Sequence, residues 1–365
     1  MIYLDNGATS FPKPPEVEKA MVQALRTCAN AGRGGYSAAD AAARTVYTCR
    51  ETAGKLFSLN PEQVIMTGGC TQGLNMAIRT LFKPGDRVAI SGFEHNAVVR
   101  TLWGLQMKPE IFGRKLFDWE DTLEQFEKTL DGGADGAVFT HVSNVFGYIL
   151  PAEEMAAMCR SRNIPFILDA AQSAGTMEIN FRKLGADYIA VPGHKGLLGP
   201  QGTGLLLCKA MRRPVIFGGT GSLSREKRMP DFLPEGMEAG TLNIPGIAGL
   251  TAGMEVVLRE GPARIGKRET IQARAAAEGL KNLGMQVFSG PHQGGTVSFV
   301  PSMDCEEAAV KLQRQGIAVR AGLHCAPLAH ESVGTLETGT VRVSFGKDAD
   351  FFQTEALLQA VSKGT

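Results

Sequence analysis

Two side chains with potential chemistry follow apolar runs that are typical of buried strands. Lys195 stands in the turn Pro-Gly-His-Lys-Gly, directly after an apolar run that ends at Val191. A lysine amine forms a Schiff base with a carbonyl ligand when its surroundings lower its pKa. Asp169 ends another apolar run, where a carboxylate needs a partner such as a metal ion, an arginine or a protonated ring nitrogen. Taken alone, Lys195 is more often a solvated surface residue, and Asp169 is as often a helix N-cap.

A glycine turn at Gly68-Gly69-Cys70-Thr71 opens a helical pattern. Free backbone N–H groups and the positive end of a helix dipole suit a phosphate, and Thr71 adds a hydroxyl. The turn matches neither the dinucleotide nor the P-loop fingerprint, and alone it indicates a plain strand-to-helix turn. Ligands of open parallel sheets bind beyond the carboxyl ends of the strands, so this turn, Asp169 and Lys195 are expected to share one cleft. A ligand that fits all three would carry a phosphate, a protonated ring nitrogen and an aldehyde. Pyridoxal 5'-phosphate has these three groups.

Two polar residues follow other predicted strands at the same edge. His95 comes after the strand at 87–91, and its imidazole can stack on a cofactor ring; alone it is more often a histidine at a helix N-terminus. Asn144 follows the strand that ends at His141. Its amide can bond the phenolic oxygen of the cofactor ring or the substrate, and the alternative is turn chemistry.

The last third of the chain holds a thiol between two basic residues. Arg320 and His324 flank Cys325 in one short loop, and nearby positive charge lowers the pKa of a thiol. Arg342, at the predicted start of a strand, can clamp a carboxylate through its two-pronged guanidinium group. As isolated features, a buried cysteine and a surface arginine are the simpler interpretations.

The elements that must position these groups are read from hydrophobic periodicity. Short apolar runs predict strands at 64–67, 87–91, 110–112, 137–141, 166–169, 188–191 and 205–208. Amphipathic patterns between them predict helices at 16–25, 39–56, 71–81, 119–130 and 152–162. This alternation predicts a doubly wound α/β fold with a mostly parallel sheet.

A Gly/Pro-rich stretch at 214–245 separates this region from a second one. Helices are predicted there at 247–259, 265–283, 306–315 and 350–361, and strands at 287–288, 296–299 and 341–345. We therefore expect a large α/β domain at 16–245, followed by a small α+β domain at 246–365 that also takes in residues 1–15.

Composition narrows the class of protein. The 365 residues are 44% apolar and 21% charged, which is typical of a globular chain and excludes a disordered or collagen-like one. With 38 basic and 37 acidic residues, the net charge of +1 does not indicate nucleic acid or an anionic membrane surface as a partner. There is no secretory-signal pattern and no apolar run of roughly 18–20 residues. The 7 cysteines contain no C-x-x-C pair, so we expect no disulfide framework, no metal site and a cytoplasmic location.

Taken together, these motifs resemble the class V aminotransferase-like enzymes of pyridoxal phosphate fold type I, and specifically the cysteine desulfurases. The resemblance runs almost from end to end. It is most specific at 140–144, 168–172, 193–195, 238–241 and 320–325. The last segment, Arg-Ala-Gly-Leu-His-Cys, is similar to the R-x-G-x-H-C signature of the Suf-type branch, which also contains selenocysteine lyases.

The resemblance implies a set of roles around the cofactor. Lys195 is the implied Schiff-base lysine, Asp169 the partner of the ring nitrogen, Gln172 the partner of the phenolic oxygen and His95 the residue stacked on the ring. The implied phosphate ligands lie at the glycine turn, beside the lysine and on a second subunit: Cys70, Thr71, His194 and Thr241. One departure is Pro192, where the family usually has Ser or Thr; Thr71 or the loop at Gly219-Thr220 is expected to replace that contact.

The resemblance also implies a reaction. L-Cysteine would become L-alanine, with Lys195 taking the α-proton and Cys325 receiving the sulfur as a persulfide. Residues implied for substrate binding are Ala8, Asn144, Arg320 and Arg342. A homodimer is expected, with Arg33 to Tyr36 at its interface, and a protein acceptor for the sulfur or selenium is a further expected partner. The alternatives are a selenocysteine lyase, another class V aminotransferase or lyase, and a scaffold without catalytic activity.

Overall fold

Seven strands form the central sheet of the computed structural model, which describes residues 1–32 and 34–364. After β1 (Ile2–Tyr3), these strands are β2 (Val64–Thr67), β3 (Arg87–Ser91), β4 (Lys108–Phe112), β5 (Gly136–Thr140), β6 (Phe166–Asp169), β7 (Tyr188–Pro192) and β8 (Gly204–Cys208). Their order in the sheet is β2-β8-β7-β6-β5-β3-β4. Within this sheet only β8 runs antiparallel to its neighbours. The predicted doubly wound, mostly parallel sheet is confirmed.

Helices cover both faces of this sheet. They are α1 (Pro15–Thr27), α2 (Ser37–Phe57), α3 (Cys70–Leu81), α4 (Asn96–Gly104), α5 (Trp119–Asp131), α6 (Ala152–Ser161), α7 (Phe181–Leu184) and α8 (Ile244–Glu260). Neighbouring residues of a strand pack into two different apolar clusters. In β6, Leu168 belongs to one cluster and Ile167 to the other. Because both faces are covered, the central strands are buried along their whole length and read as continuous apolar runs.

A smaller four-stranded sheet follows the long helix α9 (Pro262–Asn282). Its elements and neighbours are β9 (Gln286–Phe288), β10 (Thr296–Val300), α10 (Cys305–Arg314), β11 (Ile317–Ala318), β12 (Arg320–Gly322), α11 (Pro327–Val333), β13 (Thr340–Ser344) and α12 (Phe351–Ser362). The antiparallel order is β12-β13-β10-β9, and β11 pairs with β1. Leu4 is buried in the apolar cluster of this region, which joins the N-terminal segment to it. The domain boundary at 245/246 stays a prediction.

The sequence predicted the long elements to within a few residues and missed α4, α7 and α11. These three helices have 9, 4 and 7 residues, too few turns for a periodic pattern to stand out. One placement was wrong: Arg342 lies inside β13, paired with Ser298 and Arg320, and not at a strand start. Among the described residues, none of the helices is long and apolar enough to cross a membrane.

Candidate active site

The carboxyl ends of β2, β6 and β7 bring the predicted groups into one cavity of about 360 Å³. Because β6 and β7 are adjacent in the sheet, Asp169 at the end of β6 and Lys195 in the turn after β7 open onto the same space. Eleven of the predicted site residues line this cavity: Ala8, Cys70, Thr71, His95, Asn144, Asp169, Gln172, His194, Lys195, Arg320 and Arg342. Thr241 and Cys325 are not among its lining residues.

Asp169 is almost completely buried, with 2% of its surface exposed. Its Oδ1 atom accepts a hydrogen bond from the Ala171 N–H at 2.9 Å and another from the Cys70 thiol at 3.4 Å. Its Oδ2 atom accepts no hydrogen bond from any other described residue. The carboxylate is therefore held through Oδ1, which accepts a backbone N–H as the side chain of a helix N-cap does. Its Oδ2 atom is available to a protonated ring nitrogen.

Burial lowers the pKa of the Lys195 amine. The negative charge of Asp169 acts in the opposite direction, while Arg342 and Arg320 add to the lowering. A lowered pKa increases the fraction of neutral amine near neutral pH, and only the neutral amine is nucleophilic. A lowered pKa is the condition under which the sequence analysis expected Lys195 to form a Schiff base.

His95 is a helix N-cap and also lines the cavity; its stacking on a cofactor ring stays a prediction. It is the N-cap of α4, with its Nδ1 atom accepting a hydrogen bond from the Ala97 N–H at 3.0 Å, and its ring also lines the cavity. Since Nδ1 is an acceptor, the proton of the neutral ring sits on Nε2. Burial lowers the pKa of His95, which keeps the ring neutral.

The glycine turn and the first turn of α3 form the other end of the cavity. Thr71 is exposed into it, and Pro192 lines the same cavity without a hydroxyl group. The Thr220 hydroxyl bonds instead with Ser222, and Gly219-Thr220 does not line the cavity. Of the two replacements that the sequence suggested for the missing contact, the structure brings only Thr71 to the cavity. Burial lowers the pKa of His194 to about 4, so this ring is neutral.

Arg342 lines the cavity and is fixed by Asp5, a residue that the sequence analysis missed. Its Nη2 atom forms an ion pair with Asp5 Oδ1 at 2.5 Å, and Nη1 donates to the Asn144 carbonyl at 3.1 Å. Its Nε atom is buried without a hydrogen-bond partner among the described residues. Asn144 in turn donates through Nδ2 to the His324 carbonyl at 2.8 Å. No local signal identifies Asp5, because 337 residues separate it from Arg342.

The loop that holds Cys325 faces an adjoining cleft of about 410 Å³, which shares Thr71 and His95 with the cavity described above. Cys325 is exposed, and its backbone is left-handed, with φ 58°. Its carbonyl accepts a hydrogen bond from the Asn96 N–H at 2.7 Å, which attaches the loop to α4. The resemblance implied Cys325 as the sulfur acceptor; the structure places its thiol on this adjoining cleft.

The interpretation of His324 as a cation beside this thiol was wrong. His324 is buried, and its Nε2 atom bonds with the carbonyl and hydroxyl oxygens of Thr340 at 3.2 Å each. Burial, with the charge of Arg342, lowers its pKa to about 2. The ring is therefore neutral, and Arg320 is the cation that remains in the loop. The sequence could not show this, because a histidine's charge depends on its burial.

Thr241 is exposed and lies outside the cofactor cavity of its own chain. The preceding segment is anchored by Glu238, which forms a buried ion pair with Arg50 at 2.8 Å and accepts from the Met66 N–H of edge strand β2 at 2.6 Å. Sequence analysis did not find this anchor. Arg33, predicted at a subunit interface, lies outside the described residues. Within the described ranges, no three His, Cys, Asp or Glu side chains cluster as metal ligands.

Comparisons with known proteins agree with this geometry. Residues 2–357 match the family model described as Aminotransferase class-V. A probable cysteine desulfurase of Pyrococcus abyssi is 33% identical, over 94% of this chain and 89% of the relative. The apo structure of a cysteine desulfurase from Thermococcus onnurineus NA1 superposes with a TM-score of 0.90 at 31% identity, over 99% of this chain and 94% of that one.

A third structure shares the fold at lower identity. The cystine C-S lyase C-DES, in complex with its reaction product cysteine persulfide, superposes with a TM-score of 0.82 at 21% identity, over 99% of this chain and 97% of that one. The architecture is thus the fold type I architecture of pyridoxal phosphate enzymes. The chain belongs to the class V aminotransferase family and, within it, to the group that contains the cysteine desulfurases.

Proposed function

We propose that the chain is a pyridoxal 5'-phosphate-dependent cysteine desulfurase, which converts L-cysteine to L-alanine and receives the sulfur on Cys325 as a persulfide. The observation that carries this proposal is the position of Lys195, Asp169 and Arg342 on one cavity whose neighbouring cleft holds an exposed thiol. The relatives named cysteine desulfurase support the same conclusion.

The residues of the cavity fit the cofactor. Asp169 offers the unpartnered Oδ2 atom to a ring nitrogen, and the N-terminus of α3 with Thr71 offers donors to a phosphate. Lys195 offers an amine with a lowered pKa. When bound, the cofactor holds the substrate's amino group and withdraws electrons from its α-carbon. The neutral Lys195 amine is then the base that takes the α-proton.

Arg342 and Asn144 are the proposed ligands of the substrate carboxylate. The buried Nε–H of Arg342 has no partner among the described residues, and a buried donor without an acceptor costs free energy. A carboxylate at this position removes that cost. The ion pair with Asp5 keeps the guanidinium group in place while the site is empty of substrate.

Cys325 is the proposed sulfur acceptor. Its thiolate forms a bond to the substrate sulfur while the bond from that sulfur to Cβ breaks, and the carbon retains the electron pair and becomes alanine after protonation. The loop between β12 and α11 must bring the thiol from the adjoining cleft to the substrate. Holding both sulfurs on one protein removes much of the entropy cost of their encounter.

A homodimer completes the proposed site. Thr241 does not line the cavity of its own chain, and the Glu238–Arg50 ion pair attaches the segment before it to the edge strand β2. We infer that Thr241 reaches the phosphate of a second copy, and that the persulfide passes to a protein acceptor at the exposed loop.

One observation favours a second candidate. Cys325 lies outside the cofactor cavity, and a selenocysteine lyase need not use a protein thiol because selenium leaves more readily than sulfur. A class V aminotransferase or another lyase would use the same cofactor residues. The cystine C-S lyase with the same fold illustrates that the architecture accommodates other C–S bond cleavages.

The deciding experiment measures alanine, sulfide and selenide with each amino acid, for the wild type, Cys325→Ala and a matched control, Cys28→Ala. Cys28 is partly exposed and lines neither cavity. The desulfurase proposal predicts that Cys325→Ala loses sulfide release, retains the cofactor absorbance and differs from Cys28→Ala. Full sulfide release by Cys325→Ala would exclude the acceptor role. Keto-acid-dependent turnover would indicate an aminotransferase.

A further inference from the structure

Lys13 is a half-buried lysine that does not line the cofactor cavity, and none of the steps proposed above uses it. It stands between Pro12 and Pro14, shortly before α1. Proline fixes its own φ angle and restricts the conformation of the residue before it. The backbone that carries Lys13 therefore has little conformational freedom, and its side chain is presented from a stiff segment.

The Lys13 amine has no acidic partner. It forms no ion pair with any other described residue, and Glu16, the acid nearest to it in sequence, pairs instead with Arg259 at 3.1 Å. Burial lowers the pKa of the amine to about 8, so it is still mostly protonated at neutral pH. Partial burial of a charge without a counter-ion costs free energy unless other polar groups compensate for it.

The main compensating group is the backbone carbonyl directly before Lys195. Lys13 Nζ donates to the His194 carbonyl and to the Ser10 hydroxyl, each at 2.8 Å. The same carbonyl accepts from the Thr9 hydroxyl at 3.0 Å, and from the N–H and the hydroxyl of Ser10 at 3.0 and 3.2 Å. These donors share the two lone pairs of one oxygen atom. The hydrogen bond from the ammonium group is the strongest of them, because its donor carries a charge.

The other hydrogen bonds of this turn come from the loop that follows it. The Gly193 N–H donates to the Thr203 carbonyl, and the Lys195 carbonyl accepts from the Leu198 N–H, each at 2.8 Å. Among the described residues, only the N-terminal segment donates to the His194 carbonyl. This carbonyl belongs to the planar peptide group that leads into Lys195. Its orientation therefore sets the direction in which the Lys195 side chain leaves the backbone.

We propose that Lys13 is a positioning residue for Lys195. Its ammonium group fixes the peptide group before Lys195 through the His194 carbonyl, and so holds the Lys195 amine where it can capture the aldehyde of the cofactor. Because Lys13 does not line the cavity, it acts through the turn and not on the ligand. The inference rests on the proposed function, since it requires that Lys195 form the Schiff base.

The test compares two ligands in calorimetric titrations of the apo protein. Pyridoxal 5'-phosphate forms the Schiff base, whereas pyridoxamine 5'-phosphate has the same ring and phosphate but an amine in place of the aldehyde. We expect Lys13→Met to weaken the binding of pyridoxal phosphate roughly tenfold, the lower end of the effect of losing a hydrogen bond from a charged group, and to leave the binding of pyridoxamine phosphate unchanged. Lys13→Arg keeps a cationic donor and should lie between Lys13→Met and the wild type.

Two controls separate this effect from a general loss of structure. Lys19→Met makes the same change at an exposed lysine of α1 and should bind both ligands as the wild type does. In a Lys195→Ala background, where no Schiff base forms, Lys13→Met should not weaken the binding of pyridoxal phosphate any further, because the two residues act on the same step.

The outcomes distinguish this inference from the proposed function. If Lys13→Met and the wild type bind pyridoxal phosphate equally, the inference is wrong and the proposed function stands. If Lys13→Met weakens both ligands to the same extent, Lys13 supports the cavity as a whole, and the inference is again wrong. If the wild type binds neither ligand, the proposed function fails and the inference fails with it.

Discussion

The thiol of Cys70 donates a hydrogen bond to Asp169 Oδ1 over 3.4 Å, and both residues line the same cavity. Burial, together with the charge of Asp169, raises the pKa of this thiol well above its ordinary value, so it stays protonated and remains a donor. The contact links the first residue of α3 to the last residue of β6.

Replacing Cys70 should weaken cofactor binding. Cys70→Ala removes one of the two donors that fix Asp169 Oδ1, and we expect a roughly threefold to tenfold higher dissociation constant, in keeping with about 0.5–1.5 kcal/mol for a typical hydrogen bond. The measurement is a titration of the apo protein with pyridoxal phosphate, followed by visible absorbance. Cys70→Ser keeps a donor and should lie between Cys70→Ala and the wild type. Equal affinities for all three would show that the thiol does not support Asp169.

Uptake of the cofactor should depend on pH through Lys195. Burial lowers the pKa of this amine, so its neutral fraction rises at a lower pH than that of an ordinary lysine, with a pKa of about 10.4. The initial rate of uptake by the apo protein should therefore increase with pH and level off well below that value. Lys195→Arg, which keeps a charge but cannot form the Schiff base, should show no absorbance change. A rate that continued to rise above pH 10 would contradict the lowered pKa.

Thr71, and not Thr220, should contribute to phosphate binding. Of these two threonines, only Thr71 lines the cavity. Pro192 lines the same cavity and supplies no hydroxyl group. We expect Thr71→Val to weaken cofactor binding about tenfold, as the loss of a hydrogen bond to an anion does, and Thr220→Val to leave it unchanged. The same absorbance titration measures both. If Thr220→Val proved the weaker binder, its loop would have to move into the site.

Glu94 should make the stability of the protein fall as pH rises. It is fully buried, Oε1 accepts from Ser91 and the Thr140 N–H, and burial raises its pKa to about 8. Between its ordinary value of 4.5 and 8, the folded state holds a proton that the unfolded state has released. The free energy of unfolding therefore decreases with rising pH, by up to about 1.4 kcal/mol per pH unit.

Glu94→Gln, which mimics the protonated acid, should remove this dependence. Thermal unfolding between pH 5 and pH 8 measures it, and the melting temperature of Glu94→Gln should gain on that of the wild type as pH rises. The exposed Glu120→Gln serves as the control and should follow the wild type. A constant difference across this pH range would mean that Glu94 is ionised in the folded protein.

The sequence alone was sufficient to predict the doubly wound sheet and the polar residues that follow its strands. Continuous apolar runs marked the buried strands, and a parallel sheet places their carboxyl ends at one edge, so Asp169, Lys195 and the glycine turn could be predicted to meet. An apolar run is a local feature of the sequence, so it can be recognised without the structure. The position of ligands beyond the carboxyl ends of parallel strands is a general rule, so it applies once the strands are identified.

The tertiary structure decided what depends on contacts between distant parts of the chain. Asp5 contacts Arg342 because Asp5, two residues after β1, forms a β-bridge with Ser344 at the end of β13, and no local sequence pattern predicts that contact. Burial, which only the folded chain defines, makes His324 neutral. Cys325 lies in its own cleft because the Asn96 N–H holds its carbonyl. The charge of a side chain and the cavity it faces depend on its neighbours in the folded protein. The positions of the strands along the chain depend on local hydrophobic patterns, which the sequence alone shows.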